Sequence, residues 1–149
     1  MIKKVTFIAI ILSAFIASSA FAQVKIVPDS RLYQCFSKEY IQEVQLNNPK
    51  LLAYYNFYLD NSYFISKTNS TKKMDIPSIS NVKYKESDKQ FDENIKDFSM
   101  KTFNPLKYDF KIEKNVYSHY SLGNGDVIVF YPLKRFMKKY NEYIIELGL

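Results

Sequence analysis

The chain has 149 residues, of which 47% are hydrophobic and 17% aromatic, and its formal net charge is +6. That length predicts one domain, which buries roughly two-thirds of the surface that its unfolded chain exposes. The positive excess is too small to indicate nucleic-acid binding, but it favours contact with anionic polymers or acidic partners.

The N-terminus has the three parts of a cleavable secretory signal. Lys3 and Lys4 precede the apolar stretch VTFIAIILSAFIA, and SSAFA then ends in the small-x-small pattern Ala20-Phe21-Ala22. We therefore predict a signal peptide over residues 1–22 and one mature domain over residues 23–149, located in the periplasm or outside the cell. An uncleaved anchor is the alternative, but the stretch is shorter than the roughly 20 residues that span a membrane.

No second segment approaches membrane-spanning length, so we expect no transmembrane segment in the mature chain. The many Lys, Asn, Ile, Tyr and Phe residues are typical of an AT-rich genome and, together with this leader, indicate a bacterial source. Export of the chain is a second reason to expect no nucleic-acid partner.

The chain has one cysteine and one histidine. Cys35 cannot form an internal disulfide, and we expect it to be buried, with a reactive or intermolecular thiol as the alternative. One histidine and one cysteine cannot supply the ligand set of a typical zinc site, and the chain has no cofactor signature. We therefore expect neither a metal nor a cofactor.

Two helices are predicted before the first strand. Apolar residues recur at helical spacing in CFSKEYIQEVQLN, where Ser37 is a candidate N-cap. Asn48 and Pro49 then start a second helix, which we expect to run to about Asp60 with Asn61 as its C-cap. The segment SYFIS that follows is predicted to be a short strand.

The second helix carries apolar side chains over more than half of its circumference, so we predict that two of its sides are buried. Tyr54 and Phe57 lie at the flank of this arc, where a neighbouring helix or a ligand would contact them. The residues expected in the core are Leu51, Tyr55, Tyr58 and Leu59. The residues expected on the opposite side are Ala53, Asn56 and Asp60.

The middle of the chain is less regular. A polar loop is predicted near residues 66–75, a weak alternation at Val82 and Tyr84 is compatible with a strand, and residues 91–98 have helical spacing. KYDFKIE alternates cleanly between apolar and charged residues, which predicts a further strand over residues 107–113.

Gly123-Asn124-Gly125 predicts a β-hairpin with a two-residue turn. In that register Tyr120 shares a face with Val127 and Val129. The preceding strand joins the hairpin through a predicted three-residue loop at 113–115, because a loop that slips by one residue would bury Lys111 and Asp109. The opposite face then carries Tyr117, His119, Ile128 and Phe130, near Asp109 and Lys111.

The chain ends in a predicted helix with Pro132 as its first residue. The fold class is therefore α+β, an antiparallel meander of three to four strands packed against N-terminal helices and one C-terminal helix. The polar side of the last helix forms a basic face of Lys134, Arg135, Lys138 and Lys139.

These elements leave a small set of candidate binding residues. They are Tyr117, His119 and Phe130 on the outer sheet face, Tyr54 and Phe57 on the second helix, and the basic face. His119 beside Asp109 and Tyr117 has the composition of a general base with an orienting carboxylate, but no catalytic motif surrounds it, and a lone histidine is usually structural. We assign no catalytic residue and expect that the protein is not an enzyme.

The predicted function is a small exported interaction module that contacts envelope proteins or anionic or glycan polymers. One alternative is a carbohydrate-binding module that uses exposed aromatic rings, although the chain has no Trp. The other is a hydrolase that acts on a cell-wall or extracellular polymer through a carboxylate site that leaves no motif.

Overall fold

A computed structural model describes residues 24–67, 75–83 and 102–149 of the chain. Within these residues the helices are α1 (Lys38–Asn47), α2 (Pro49–Asn61) and α3 (Leu133–Glu146), and the strands are β1 (Tyr63–Lys67), β2 (Ser118–Ser121) and β3 (Asp126–Phe130). Short 3-10 turns occupy Ser30–Gln34, Ile79–Asn81 and Pro105–Lys107. The predicted signal peptide (1–22) and the helical turns at 91–98 lie outside the described residues.

The predicted helix starts are confirmed. The Ser37 side chain accepts a hydrogen bond from the Tyr40 amide at 3.1 Å, and the Asn48 side chain accepts one from the Leu51 amide at 3.1 Å. Both bonds satisfy an amide that the first helical turn leaves free. Helix α2 continues through Asn61, and Ser62 is its C-cap because the Ser62 amide still donates to the Tyr58 carbonyl.

The strands form an antiparallel sheet of order β1-β3-β2, with β3 at the centre. Tyr63 of β1 lies opposite Phe130, and His119 of β2 lies opposite Val129. The predicted α+β class, with helices before and after an antiparallel sheet, is confirmed. The strand predicted at SYFIS is β1.

The hairpin loop has three residues, Gly123–Gly125, and the predicted two-residue turn is wrong. The Leu122 amide donates to the Asp126 carbonyl at 2.9 Å, and the Asn124 side chain accepts from the Asp126 amide at 2.9 Å. One extra loop residue moves every partner to the other face of the sheet. Tyr120 therefore faces the same side as Ile128 and Phe130.

The predicted strand over residues 107–113 is also wrong: the segment is not part of the sheet, and its backbone bonds to scattered partners, among them the Tyr120 side chain. The Tyr120 hydroxyl accepts from the Lys111 amide at 2.9 Å and donates to the Lys111 carbonyl at 3.1 Å. The alternation in this segment still has its expected effect, since Tyr108, Phe110 and Ile112 all pack toward the sheet.

The buried residues form two clusters, which we call the sheet core and the helical core. Connecting segments complete the sheet core, whose buried members are Tyr63, Ile79, Val82, Phe103, Tyr120, Leu122, Ile128 and Phe130. The N-terminal segment joins α1 and α2 in the helical core, whose buried members are Ile26, Leu32, Ile41, Val44, Leu52, Ala53 and Leu59. The C-terminal end of α3 packs against this second cluster.

Helix α2 places Ala53 in the helical core, so the prediction that this residue lies on the side opposite the core is wrong. Leu59 is buried as predicted, while Leu51 and Tyr55 are half-buried at the edge of that core. Tyr58, also predicted to lie in the core, is half-buried, and burial raises the pKa of its hydroxyl above its usual range. Helix α3 begins at Leu133, so Pro132 precedes its first turn.

Candidate functional site

Three aromatic rings from separate segments meet on the face of the sheet opposite the sheet core. The ring of Phe64 lies 5.2 Å from that of Tyr131 and 6.3 Å from that of Tyr117, and the two tyrosine rings are 5.8 Å apart. Phe64 follows the buried Tyr63 in β1 and therefore points to the opposite face of the sheet. Tyr131 comes directly after β3, and Tyr117 comes directly before β2. The antiparallel pairing of the three strands brings these three rings together.

Two cations of helix α3 lie over these rings. The Arg135 guanidinium carbon is 5.1 Å from the Tyr131 ring centre and 5.9 Å from that of Tyr117, and the Lys139 Nζ is 4.8 Å from Tyr131. Arg135 also donates a hydrogen bond to the Tyr117 hydroxyl. Each cation is attracted to the negative face of a ring. We call Phe64, Tyr117, Tyr131, Arg135 and Lys139 the ring–cation surface.

The geometry follows from the start of α3. The amides of Leu133 and Lys134, which the first helical turn leaves free, donate to the carbonyls of Glu113 and Lys114, each at 3.0 Å. These bonds hold the segment before β2 against the helix. Arg135 then points at Tyr117, and the next turn brings a lysine to the same side, because residues four apart share a helix face.

Three large side chains near the starts of α3 and β2 are exposed. Val116 is 60% exposed, Leu133 is 42% exposed and Tyr117 is 37% exposed.

Phe130 does not belong to this surface. It is 0% exposed and lies in the sheet core, as does Ile128. The three-residue loop turned both side chains inward, so the prediction that they share the outer face with His119 is wrong. The buried ring of Phe130 cannot contact an external partner.

Tyr54 and Phe57 are contacted by helix α3. The Tyr54 ring meets Tyr140 edge-on at 5.2 Å, and the Phe57 ring stacks on Tyr143 at 4.9 Å. Phe136, which is buried, also packs against both rings. Of the two predicted occupants of this flank, the structure places the neighbouring helix there.

His119 lies half-buried on the outer side of the sheet, opposite Val129. In the described ranges no ion pair or hydrogen bond joins it to a carboxylate. Asp109 belongs to the segment that covers the Tyr120 side of the sheet, where its amide donates to the Lys83 carbonyl at 2.8 Å. The sequence-predicted triplet of His119, Asp109 and Tyr117 is therefore not assembled.

The predicted basic face divides into two parts. Arg135 and Lys139 lie over the rings, whereas Lys134 and Lys138 are exposed and contact no ring among the described residues. Sequence reasoning missed Phe64 and Tyr131 as site residues. The signals that would have indicated them are the alternation of Phe64 with the core residue Tyr63 and the spacing of four between Arg135 and Lys139.

The described ranges contain no group of three or more His, Cys, Asp or Glu side chains arranged to hold a metal ion. Cys35 is half-buried, and its sulfur accepts a hydrogen bond from the Asn104 side chain at 3.3 Å. No helix among the described residues has the length and apolar content needed to cross a membrane.

Comparison of the chain with known protein families, curated proteins and solved structures returns no match.

Proposed function

We propose that this protein is a small exported module that acts by binding rather than by catalysis, and that it holds an anionic partner of the cell envelope. The leader-like N-terminus supports export to the periplasm or beyond. The observation that carries the binding role is the placement of Arg135 and Lys139 over the rings of Tyr117 and Tyr131.

The pairing of Arg135 with Tyr117 favours binding because it pre-orders a charged side chain. A free arginine has many rotamers, and a ligand that captures it must offset the entropy that the side chain loses. Contacts with two rings and one hydroxyl already restrict Arg135. Arg135 is exposed, so a carboxylate of a partner can approach its guanidinium and accept paired hydrogen bonds from it.

A hydrolase has less support. Such an enzyme needs two carboxyl groups, or a histidine with an orienting carboxylate, at a defined separation. Among the described residues the hydrogen-bonded carboxylates are Asp29 and Asp60, and both are bound to Arg31. That arrangement stabilises the fold, and within the described ranges no carboxylate is hydrogen-bonded to His119.

The proposal is tested by site-specific photo-crosslinking in bacteria that express the full chain. One variant carries benzoylphenylalanine in place of Leu133, which is 42% exposed and lies two residues before Arg135. The matched control carries it in place of Leu46, which is 72% exposed on α1. We expect a defined envelope adduct from position 133 and none from position 46, with the protein recovered from the exported fraction.

The adduct should also depend on charge. Adding Arg135→Ala and Lys139→Ala to the position-133 variant should abolish it, whereas Lys25→Ala and Lys38→Ala, which remove the same charge from exposed sites elsewhere, should not. Equal adducts from both positions, or none from either, would show that this surface is not a binding site.

A further inference from the structure

We propose that Tyr40 and Tyr55 form an oxidative modification site, at which a haem peroxidase supplied with hydrogen peroxide joins the two rings by a carbon–carbon bond. The bond fastens α1 to α2. This inference goes beyond the proposed function, since the two tyrosines lie on the first two helices and the ring–cation surface takes no part in the reaction.

The hydroxyl groups of Tyr40 and Tyr55 face each other between α1 and α2. Their oxygens are 3.4 Å apart, which is longer than an ordinary O–H···O hydrogen bond and close to van der Waals contact. The carbon atoms that couple in oxidised tyrosines are ortho to the hydroxyl. A contact between two hydroxyls therefore also brings these ortho carbons near each other.

Other tyrosine hydroxyls bond to the backbone instead. The Tyr140 hydroxyl donates to the Lys50 carbonyl at 2.8 Å. The Tyr120 hydroxyl bonds to both backbone groups of Lys111. In the proposed site, by contrast, each phenol oxygen has another phenol oxygen as its neighbour, which is the arrangement that coupling requires.

Local contacts hold both rings of the site in place. The Phe36 ring packs against that of Tyr40 with centroids 5.2 Å apart and against that of Tyr55 at 5.1 Å. The Ser37 side chain accepts from the Tyr40 amide, which fixes the backbone at the start of α1. Coupling of separate tyrosines requires two radicals to meet in solution, whereas two rings held side by side react within one molecule.

Tyr40 is the side chain that an oxidant reaches first. It is 37% exposed, whereas Tyr55 is half-buried. Burial, together with the contact to the Tyr40 hydroxyl, raises the pKa of Tyr55 to about 12, so this hydroxyl stays protonated at neutral pH. A radical formed at the exposed ring thus has an intact phenol beside it.

The reaction removes one electron and one proton from each phenol. The two phenoxyl radicals couple through their ortho carbons, and the hydrogen on each of these carbons then moves to the oxygen and restores the hydroxyl. The haem of the peroxidase passes both electrons to hydrogen peroxide, which also takes up the two protons and becomes two molecules of water. The protein loses two hydrogen atoms in total.

Such a bond supplies a covalent link that the cysteine content of the chain does not provide. One cysteine cannot form an internal disulfide. Tyr40 and Tyr55 are separated by 15 positions, and a link between them restricts the unfolded chain in the way that a disulfide does. The proposed export would place the chain in a compartment where oxidised links persist.

The test treats the protein, purified from cells that express the full chain, with hydrogen peroxide and a haem peroxidase. The protein is kept dilute, so that coupling within one chain outpaces coupling between chains. Trypsin places Tyr40 in peptide 39–50 and Tyr55 in peptide 51–67. We expect a monomer that has lost two hydrogen atoms and has the fluorescence of dityrosine, with these two peptides joined.

Matched variants assign the bond to the two rings. Tyr40→Phe and Tyr55→Phe should each abolish the joined peptides, because a phenylalanine ring forms no phenoxyl radical. Tyr55→Phe is the sharper of the two, since peptide 51–67 keeps its other tyrosines. Tyr54→Phe, which removes the adjacent hydroxyl, is the control and should leave the yield unchanged. Circular dichroism will show that each variant is folded.

The joined monomer should unfold at a higher urea concentration than the untreated protein, and Tyr55→Phe treated in the same way should show no such shift. Absence of the joined monomer, undiminished joining in Tyr55→Phe or an unchanged urea midpoint overturns the proposal. The crosslinking at position 133 decides separately whether the ring–cation surface binds an envelope partner.

Discussion

Arg31 lies buried where the N-terminal segment crosses the end of α2. Its guanidinium pairs with Asp29 at 2.7 Å and also with Asp60, and it donates to the Leu59 carbonyl at 3.4 Å. Burial of a charge is costly unless partners compensate for the lost water. Here the hydrogen bonds to Asp29 outweigh desolvation and raise the pKa of Arg31.

The same pair predicts a pH dependence. The hydrogen bond from Arg31 lowers the pKa of the Asp29 carboxyl below its ordinary value of 3.8. A lowered folded-state pKa means that the stabilisation is fully present above the ordinary value and is lost as pH falls through the folded value. Asp29→Asn should therefore be less stable than the wild type near neutral pH, and the difference should shrink in acid.

Urea unfolding followed by circular dichroism from about pH 6 to about pH 2 measures this difference. Glu43→Gln, which removes an exposed carboxylate from α1, is the control and should differ little from the wild type throughout. A gap between Asp29→Asn and the wild type that does not narrow in acid would contradict the assigned role of the Asp29–Arg31 pair.

The hairpin loop shows how a few residues select the register of a sheet. Gly123 and Gly125 adopt φ values of +79° and +89°, which side chains rarely tolerate. The Ser121 hydroxyl accepts from the Gly123 amide at 3.2 Å, and the Asn124 side chain accepts from the Asp126 amide at 2.9 Å. These local bonds stabilise a loop of three residues over a two-residue turn.

Gly125→Ala should lower the free energy of unfolding by about 1 kcal/mol. Nothing lies within 4 Å of a Cβ at this position, so the cost comes from the backbone angle alone. Equilibrium urea unfolding measures it, and Gln42→Ala on the exposed side of α1 should change stability much less. An unchanged midpoint for Gly125→Ala would mean that the loop relaxes to another conformation without cost.

Helices α2 and α3 pack against each other partly through a set of aromatic rings. Tyr54 and Phe57 meet Phe136, Tyr140 and Tyr143 at edge-on and stacked angles. The Tyr140 hydroxyl donates to the Lys50 carbonyl at 2.8 Å, so the polar end of one ring also finds a partner. This contact explains why α2 carries so many rings.

The two cores are linked by the segment around Asn104. Phe103 lies in the sheet core and Leu106 packs against the helical core. Between them the buried Asn104 side chain donates to the Arg31 carbonyl at 2.7 Å and accepts from the Leu106 amide at 3.0 Å. A single side chain thus joins the N-terminal segment to the approach to the sheet.

Asn104→Ala should destabilise the protein by about 1–3 kcal/mol, because the Arg31 carbonyl is then buried without this donor. Circular dichroism and tyrosine fluorescence should still report one coincident urea transition, since Phe103 and Leu106 continue to connect the cores. Asn61→Ala removes an exposed side-chain bond to the Phe57 carbonyl and is the control, with a smaller expected loss. Equal losses in the two variants would contradict the linking role of Asn104.

Features that depend on a few neighbouring residues could be predicted. The caps at Ser37 and Asn48 bond to amides three residues away, so the local sequence is enough to place both helix starts. The strand after α2 and the apolar alternation from Tyr108 to Ile112 were predicted for the same reason. Each depends on the periodicity of a single segment.

Tertiary structure alone decided the faces of the sheet and the composition of the candidate surface. The side of the sheet on which Phe130 lies depends on one loop residue, and the sequence is compatible with either count. The ring–cation surface joins Phe64, Tyr131 and Arg135, which lie far apart along the chain or on different elements. Local patterns can place Phe64 on the outer face and Arg135 with Lys139 on one side of α3, but the contact between them exists only once β1 has paired with β3 and α3 has packed beside them.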